Sequence, residues 1–291
     1  MPRGVQDVAA MTNRQGKPRQ SKTEFLISVV MPTLNCTSLL AGSLGSLAAQ
    51  TCRNFEVIIV DGGSGDDTVA EARRQLEPFG IECRVIIAPG TGIYAAMNLG
   101  IAMARGQWLY FLGSDDRLYS PDVFETMAPY LQLSKANLVH GEAWIEKPGY
   151  LYGGEFSLRR LLERNISHQS IFYRRSLLIS RRIGYNESYP IYADWDLNLK
   201  VLSFGSFQFI RVPVAVYCCD GFSAGRIDER FMREKEANAM NYFGWRAFLL
   251  MTPDRLALGA SNQRSWLTTL ILLFVRCMRA FARFFGRGLR Y

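Results

Sequence analysis

The chain has 291 residues, 48% of them hydrophobic and 21% charged, a composition that supports a sizeable core and excludes wholesale disorder. Its formal charge is +8, of which residues 1–24 contribute +3 and residues 261–291 contribute +6, leaving −1 for residues 25–260. So neutral a body lacks the basic stripe of a nucleic-acid-binding surface, and no nucleic-acid partner is expected.

Six cysteines form no CxxC pair, and with only His140 and His168 beside them there is no zinc-like cluster. Cys36, Cys83 and Cys277 sit in apolar surroundings, which suits free thiols in a reducing cytoplasm. Residues 1–24 hold no apolar run of the kind a secretory signal needs and read as a disordered basic lead. The longest apolar stretch, Trp266–Val275, is ten residues, against the ~20 of a spanning helix, so no transmembrane helix is predicted.

From residue 26 to 113 strand and helix patterns alternate. Strands are predicted at Leu26–Met31, Phe55–Val60, Arg84–Ala88 and Trp108–Leu112, and helices at Thr37–Gln50, Asp67–Leu76 and Gly92–Ala104. Strands apolar throughout their length belong to parallel sheets covered on both faces, so an α/β doubly wound, mostly parallel sheet is expected. Ligands in such sheets bind outside the carboxyl ends of the strands. Three polar loops fall there: Thr33–Asn35, Asp61–Asp67 and Ser114–Asp116. Further on, helices are predicted at Pro121–Leu133, Ser157–Arg164, Asp194–Leu202 and Asp228–Leu250, with strands at Asn137–Ile145, Gln169–Tyr173 and Phe207–Tyr217. No linker interrupts this pattern, so residues 25–250 are expected to be one domain, followed by a C-terminal segment at 251–291.

Asp115 and Asp116 close the fourth strand. Adjacent carboxylates repel unless a cation or donor hydrogens compensate them, and oxygen-only ligation suits Mg²⁺ or Mn²⁺ completed by substrate phosphates. An N-cap for the following segment accounts for an aspartate there equally well. The Asp61–Thr68 loop is no EF-hand, since Ala72 stands at its twelfth place, and no P-loop. It is a glycine-rich turn with Asp61 at a strand tip, suited to a nucleoside.

Met31-Pro-Thr-Leu-Asn35, Val60-Asp-Gly-Gly-Ser64, Gly92-Ile-Tyr-Ala-Ala-Met-Asn-Leu-Gly100, the strand ending in Ser114-Asp115-Asp116, and Ala193-Asp-Trp-Asp-Leu197 occur in this order. Together they resemble glycosyltransferase family 2, over about residues 26–220. The resemblance implies a GT-A fold and an inverting transfer of a sugar from a nucleotide-diphosphate sugar, with Mn²⁺ or Mg²⁺ as cofactor. It further implies that Asp61 and the loop of Pro32, Thr33 and Asn35 hold the nucleoside, that Asn98 lies near the diphosphate, and that Ser114, Asp115 and Asp116 form the metal motif. Asp194 would be the general base, Asp196 being the weaker candidate, although a helix cap is the alternative for Asp194. His168 is placed to touch donor or acceptor or else is structural, and Trp144 and Trp195 stack on a sugar or pack in the core. The other function class is a non-catalytic sugar-nucleotide-binding or assembly protein. A nucleotidyltransferase would need a basic glycine-rich loop where Thr33–Cys36 stands.

Arg276, Arg279, Arg283, Arg287 and Arg290 share one helical face and Phe274, Met278, Phe281, Phe285 and Leu289 the other. This reads as an interfacial helix drawn to anionic lipid, with packing on the body or a partner as the alternative. The expected location is therefore the cytoplasmic face of the cell membrane, and the expected acceptor is a saccharide or lipid-linked saccharide.

Overall fold

In the computed structural model, which describes residues 25–218, 226–247 and 250, the first seven strand residues are all buried. These are β1 (Ile27–Thr33), and they pair in parallel on one side with β2 (Phe55–Asp61) and on the other with β4 (Trp108–Phe111). Beyond β2 lies β3 (Cys83–Ile87), again parallel. Uniformly apolar sequence is what a strand with both faces covered requires. Alternate residues serve the two faces. Val29, Met31, Val57, Ile59, Trp108 and Tyr110 meet helices α1 (Leu40–Ala48), α2 (Thr68–Leu76) and α4 (Val123–Leu133).

Val30, Ile58, Val60, Leu109 and Phe111 face the opposite layer. That layer holds α3 (Ile93–Met103), α5 (Leu158–Glu163), α6 (Arg175–Arg181), α7 (Ala193–Ser203) and α8 (Glu229–Phe243). Helix α3 lies so close to β1 that a methyl added at Gly100 would stand 2.2 Å from Val30 Cγ1.

The sheet has nine strands in the order β3-β2-β1-β4-β8-β6-β9-β5, with β7 (Tyr150–Tyr152) beside β6. Chain order reverses at β1, where loops leaving the carboxyl ends of β1, β2 and β4 open side by side. The second half is mixed. β8 (Ile171–Arg174) runs antiparallel to β4, so its beginning lies at the end of β4, next to Gly113–Asp116. β6 (Leu138–Ile145) and β9 (Phe207–Tyr217) are parallel, and two-residue β5 (Arg117–Leu118) pairs antiparallel with β9. The end of β9 is thereby also carried to Asp116.

At the opposite end of the parallel strands, buried Glu56 accepts from Ser28 Oγ (2.7 Å), Arg105 N (2.7 Å), Arg105 Nη2 (2.9 Å) and Arg84 Nη2 (2.9 Å). Burial works to raise this carboxyl, but those donors outweigh it and hold it below its ordinary value.

Most predicted elements are present with ends shifted by one to three residues. β5, β7 and α6 were not expected from sequence. The expected helix Asp228–Leu250 is interrupted after Phe243 by Gly244 at φ 55°. Cys36 is buried, and burial pushes the Cys83 thiol up to about 11. Residues 1–24, the arginine-striped C-terminal segment and Cys277 lie outside the described residues.

Candidate active site

The loops after β1 and β2 are laced together. Thr33 Oγ1 donates to Asp61 (3.0 Å), Asn35 N donates to Ser64 Oγ (2.8 Å), and Gly65 N donates to Asn35 Oδ1 (2.8 Å). Asn35 adopts the left-handed region, φ 48°, which asparagine tolerates better than most residues. Buried Asp61 also accepts from Gly63 N (3.0 Å), Ser64 N (2.7 Å) and Ser64 Oγ (2.6 Å). An ionised carboxylate offers about four acceptor sites, and four bonds occupy them. Burial opposes the charge, but the Ser64, Thr33 and Gly63 hydrogen bonds hold the carboxyl below its ordinary value. Asp61 therefore shapes the Gly62–Ser64 turn, leaving the turn itself and exposed Leu34 to face solvent. Pro32 is buried within β1, opposite Val60.

After β4 the chain turns through Gly113-Ser114-Asp115-Asp116. A methyl at Gly113 would stand 2.8 Å from both Asp115 Oδ1 and Asp116 Oδ2. The two carboxylates thus converge over the one residue that has no side chain to put between them. Buried Asp116 accepts from Gln169 Nε2 (2.9 Å) and, at 3.4 Å, from Cys218 N. Burial, and then the charge of Asp115, raise its carboxyl to about 7. Among the described residues no group of three or more His, Cys, Asp or Glu side chains is placed to hold a metal ion. Two hard oxygens aimed at one point do fit a Mg²⁺- or Mn²⁺-sized cation that takes its remaining ligands from phosphate and water.

Asp194 lies in the first turn of α7. Its Oδ2 accepts from Asn165 Nδ2 (2.7 Å), and burial raises its carboxyl to about 7. Two adjoining clefts share Asp194, His168, Gln169 and Tyr217 as lining. One, of about 140 Å³, contains Asp115, Asp116, Tyr94 and Met97. The other, of about 310 Å³, contains Asn165, Ile166, Tyr150 and Tyr152. The base candidate and the carboxylate pair are thus brought together, 78 residues apart in sequence between Asp116 and Asp194.

Burial holds the His168 imidazole at about 4, so it is neutral. Its ring stacks on Phe111 at 5.6 Å, and both nitrogens are sealed from solvent with no hydrogen-bond partner.

Asn98 is not brought to this cleft. Its amide clamps the 185–187 loop, donating to Tyr185 O (3.0 Å) and Glu187 Oε1 (2.9 Å) and accepting from Tyr185 N (2.8 Å). It borders a separate cavity of about 910 Å³ instead. Asp196 also points away. It pairs with Lys200 at 2.7 Å and accepts from Tyr242 OH at 2.9 Å, tying α7 to α8. Trp195 packs in the core and donates to Leu161 O.

Four contributors escape a sequence reading. Gln169 holds Asp116 and Asn165 holds Asp194. Asp228 caps α8 through Phe231 N (3.0 Å) while accepting from Ile191 N (3.0 Å) and Tyr192 N (3.1 Å), just before α7. Tyr94 OH donates to Ile191 O at the same place. Only the neighbouring His168 and Asp194 signalled this region.

The profile of the family described as "Glycosyl transferase family 2" matches residues 28–186. A "PGL/p-HBAD biosynthesis glycosyltransferase" of Mycobacterium bovis is 40% identical over 216 residues, covering 72% of this chain and 83% of its own. Staphylococcus aureus TarS 1-349, solved with UDP-GlcNAc, superposes with a TM-score of 0.63 at 18% identity, covering 77% of this chain and 70% of that one. The mannosyltransferase PcManGT of Pyrobaculum calidifontis, solved with GDP-Man and Mn²⁺, has a TM-score of 0.53 at 18% identity, covering 88% and 80%. The structural likenesses establish the GT-A fold. A profile match over more than half the chain, joined to a 40% identical relative over most of its length, makes this chain a member of glycosyltransferase family 2.

Proposed function

We propose that the chain transfers a sugar, with inversion, from a nucleotide-diphosphate sugar to an acceptor hydroxyl, with Asp194 as general base. The observation that carries this is the position of Asp194 in the wall common to the Asp115–Asp116 cleft and the tyrosine-lined cleft. Donor and acceptor then meet at the one carboxylate that both clefts share.

The laced loops at Thr33–Asn35 and Gly62–Gly65 form the nucleoside platform, and Ser114 to Asp116 face the diphosphate. Asp115 and Asp116 would hold the cation. A bound Mg²⁺ or Mn²⁺ supplies neutralisation of the charge on the departing nucleoside diphosphate. Asp194 takes the proton from the acceptor hydroxyl as that oxygen attacks, and a base with a pKa near 7 is well matched to this at neutral pH. Neutral His168, stacked on Phe111, forms part of the wall common to both clefts.

The nucleotide in TarS and the GDP-Man and Mn²⁺ in PcManGT support the donor and the cation. The name of the mycobacterial relative supports an acceptor in glycolipid synthesis. The arginine stripe of residues 276–290 supports attachment to an anionic membrane surface, on the cytoplasmic side. The test is turnover of a panel of UDP-, GDP- and dTDP-sugars with lipid-linked and free saccharide acceptors, with NMR of the anomeric product. Transfer with inverted configuration, lost in Asp194→Asn with nucleotide binding kept, is expected. Retention of configuration, or full activity of Asp194→Asn, overturns the reading.

A further inference from the structure

A line of buried side chains leads from the core to Asp194. Tyr173 OH on β8 donates to Asn198 Oδ1 (2.8 Å), Asn198 Nδ2 donates to Asn165 Oδ1 (2.8 Å), and Asn165 Nδ2 donates to Asp194 Oδ2 (2.7 Å). Asn198 is fully buried one helical turn beyond Asp194, and Tyr173 is fully buried in the sheet. The Asn165 backbone is itself pinned, its carbonyl accepting from Tyr152 OH at 2.5 Å.

The direction of this line is set from one end. An ionised carboxylate only accepts, so Asn165 must turn its NH₂ to Asp194 and its oxygen to Asn198. Asn198 must then present its own NH₂ to Asn165 and its oxygen to Tyr173, whose hydroxyl must donate. Each donor in the series has one acceptor, and the whole series is polarised toward a negative charge on Asp194. It engages Oδ2, and the backbone N–H groups of Asp194 and Trp195 also donate to this carboxyl.

We infer that Tyr173, Asn198 and Asn165 form a polarised hydrogen-bond line that positions Asp194 and favours its ionised, proton-accepting form. The inference rests on Asp194 being the general base. Asn165 is a positioning residue, not a catalytic one.

The titratable groups around Asp194 are tyrosines, one histidine and two carboxylates. Tyr94 of α3, Tyr173 of β8, and Tyr185 and Tyr192 of the loop before α7 all feel its charge, and all four phenols are held above their ordinary value, chiefly by burial. Tyr150 and Tyr152 of β7, Tyr217 of β9, neutral His168, and Asp115 and Asp116 share its clefts. Burial raises the Asp194 carboxyl, and the Trp195 backbone N–H, then the Asn165 side chain and the Asp194 backbone N–H, work to lower it.

The experiment measures kcat and donor Kd against pH for the full chain and for Asn165→Ala, Tyr173→Phe and Asp194→Asn, with Tm as the folding control. A hydrogen bond to a charged group corresponds to about one to two pH units. Asn165→Ala is expected to move the acid limb of kcat upward by about that much and to lower kcat at pH 7 by about 5- to 50-fold. Nucleotide affinity and its pH dependence, which report the Asp115–Asp116 side, stay unchanged. Tyr173→Phe, which removes only the far donor, moves the limb the same way by less. Adding Asn165→Ala to Asp194→Asn produces no further loss. If Asp194→Asn abolishes turnover but the acid limb stays put in both other variants at unchanged Tm, the positioning role is overturned and the base reading stands. If Asp194→Asn keeps its turnover, both fall together.

Discussion

Gln169 donates its side-chain amide to Asp116 across 2.9 Å, joining the turn before β8 to the loop after β4. Four residues earlier Asn165 does the same for Asp194. One short segment thus grips both acidic elements of the site, because an antiparallel strand beside β4 begins where β4 ends.

Gln169→Leu removes the side-chain donor from a buried carboxylate and leaves its geometry unheld. Outer-shell partners of this kind are typically worth ~10- to 100-fold in metal affinity or activity. Mn²⁺-dependent nucleotide binding by calorimetry is expected to weaken by about tenfold or more, while metal-free binding barely changes.

Gly113→Ala places a methyl 2.8 Å from an oxygen of each carboxylate. The carboxylates must separate, so metal-dependent donor binding and turnover are expected to fall at least tenfold. Gly42→Ala is the contrasting variant: Gly42 lies inside α1 with open space around its Cβ position. It is expected to keep full activity and gain about 0.5–1 kcal/mol in denaturant unfolding, the usual helix difference between the two residues.

Asp194 has a carboxyl at about 7 when folded, against 3.8 ordinarily. Between those pH values the folded chain holds a proton that the unfolded chain has lost. The stability this contributes is complete below 3.8 and is lost as pH rises through 7. Asp116 acts in the same direction. Asp194→Asn imitates the protonated form without that titration, so thermal melts are expected to show a Tm above wild type at pH 8, the difference narrowing as pH falls from 7 and closing below 3.8. Turnover of the wild-type chain should be half-maximal on its acid side near pH 7.

Tyr150 and Tyr152 line the cleft on the far side of Asp194 from the carboxylate pair. Tyr150, on the short strand β7, is exposed, and Tyr150→Ala is expected to raise acceptor KM several-fold with donor Kd unmoved. An equal loss of donor affinity would assign this cleft to the nucleotide sugar.

The arginine stripe makes a separate expectation. Flotation with vesicles containing anionic lipid should retain the full chain at low salt and release it at high salt. Replacing Arg276, Arg279, Arg283 and Arg287 by Gln should abolish retention without lowering transfer to a soluble acceptor.

The parallel half of the sheet was legible because every residue of β1, β2 and β4 is buried, which makes their sequence mostly apolar, the polar exceptions Ser28, Thr33, Glu56 and Asp61 being paired by hydrogen bonds. The loops at their ends were legible for the complementary reason, since polar residues there have no strand to pair with. Uses of individual side chains were not. Asp61 and Asn98 look like ligand-binding residues by type, yet the first spends its oxygens on its own turn and the second on a loop 87 residues away. Asn165 and Gln169 carried no signal because their partners lie 29 and 53 residues distant. A two-residue strand such as β5 has no periodicity to detect and exists only because β9 is beside it.

The saturated Glu56 and the raised carboxyls of Asp116 and Asp194 mark the two ends of this architecture. At one end hydrogen-bond donors outweigh burial and lower a carboxyl, and at the other burial outweighs the donors and raises two. Robustness and reactivity are therefore separable along the strand axis. Substitutions that harden this enzyme against heat belong around Ser28, Glu56 and Arg105, where they do not trade against turnover, while selection for new acceptors has the opposite rim to itself.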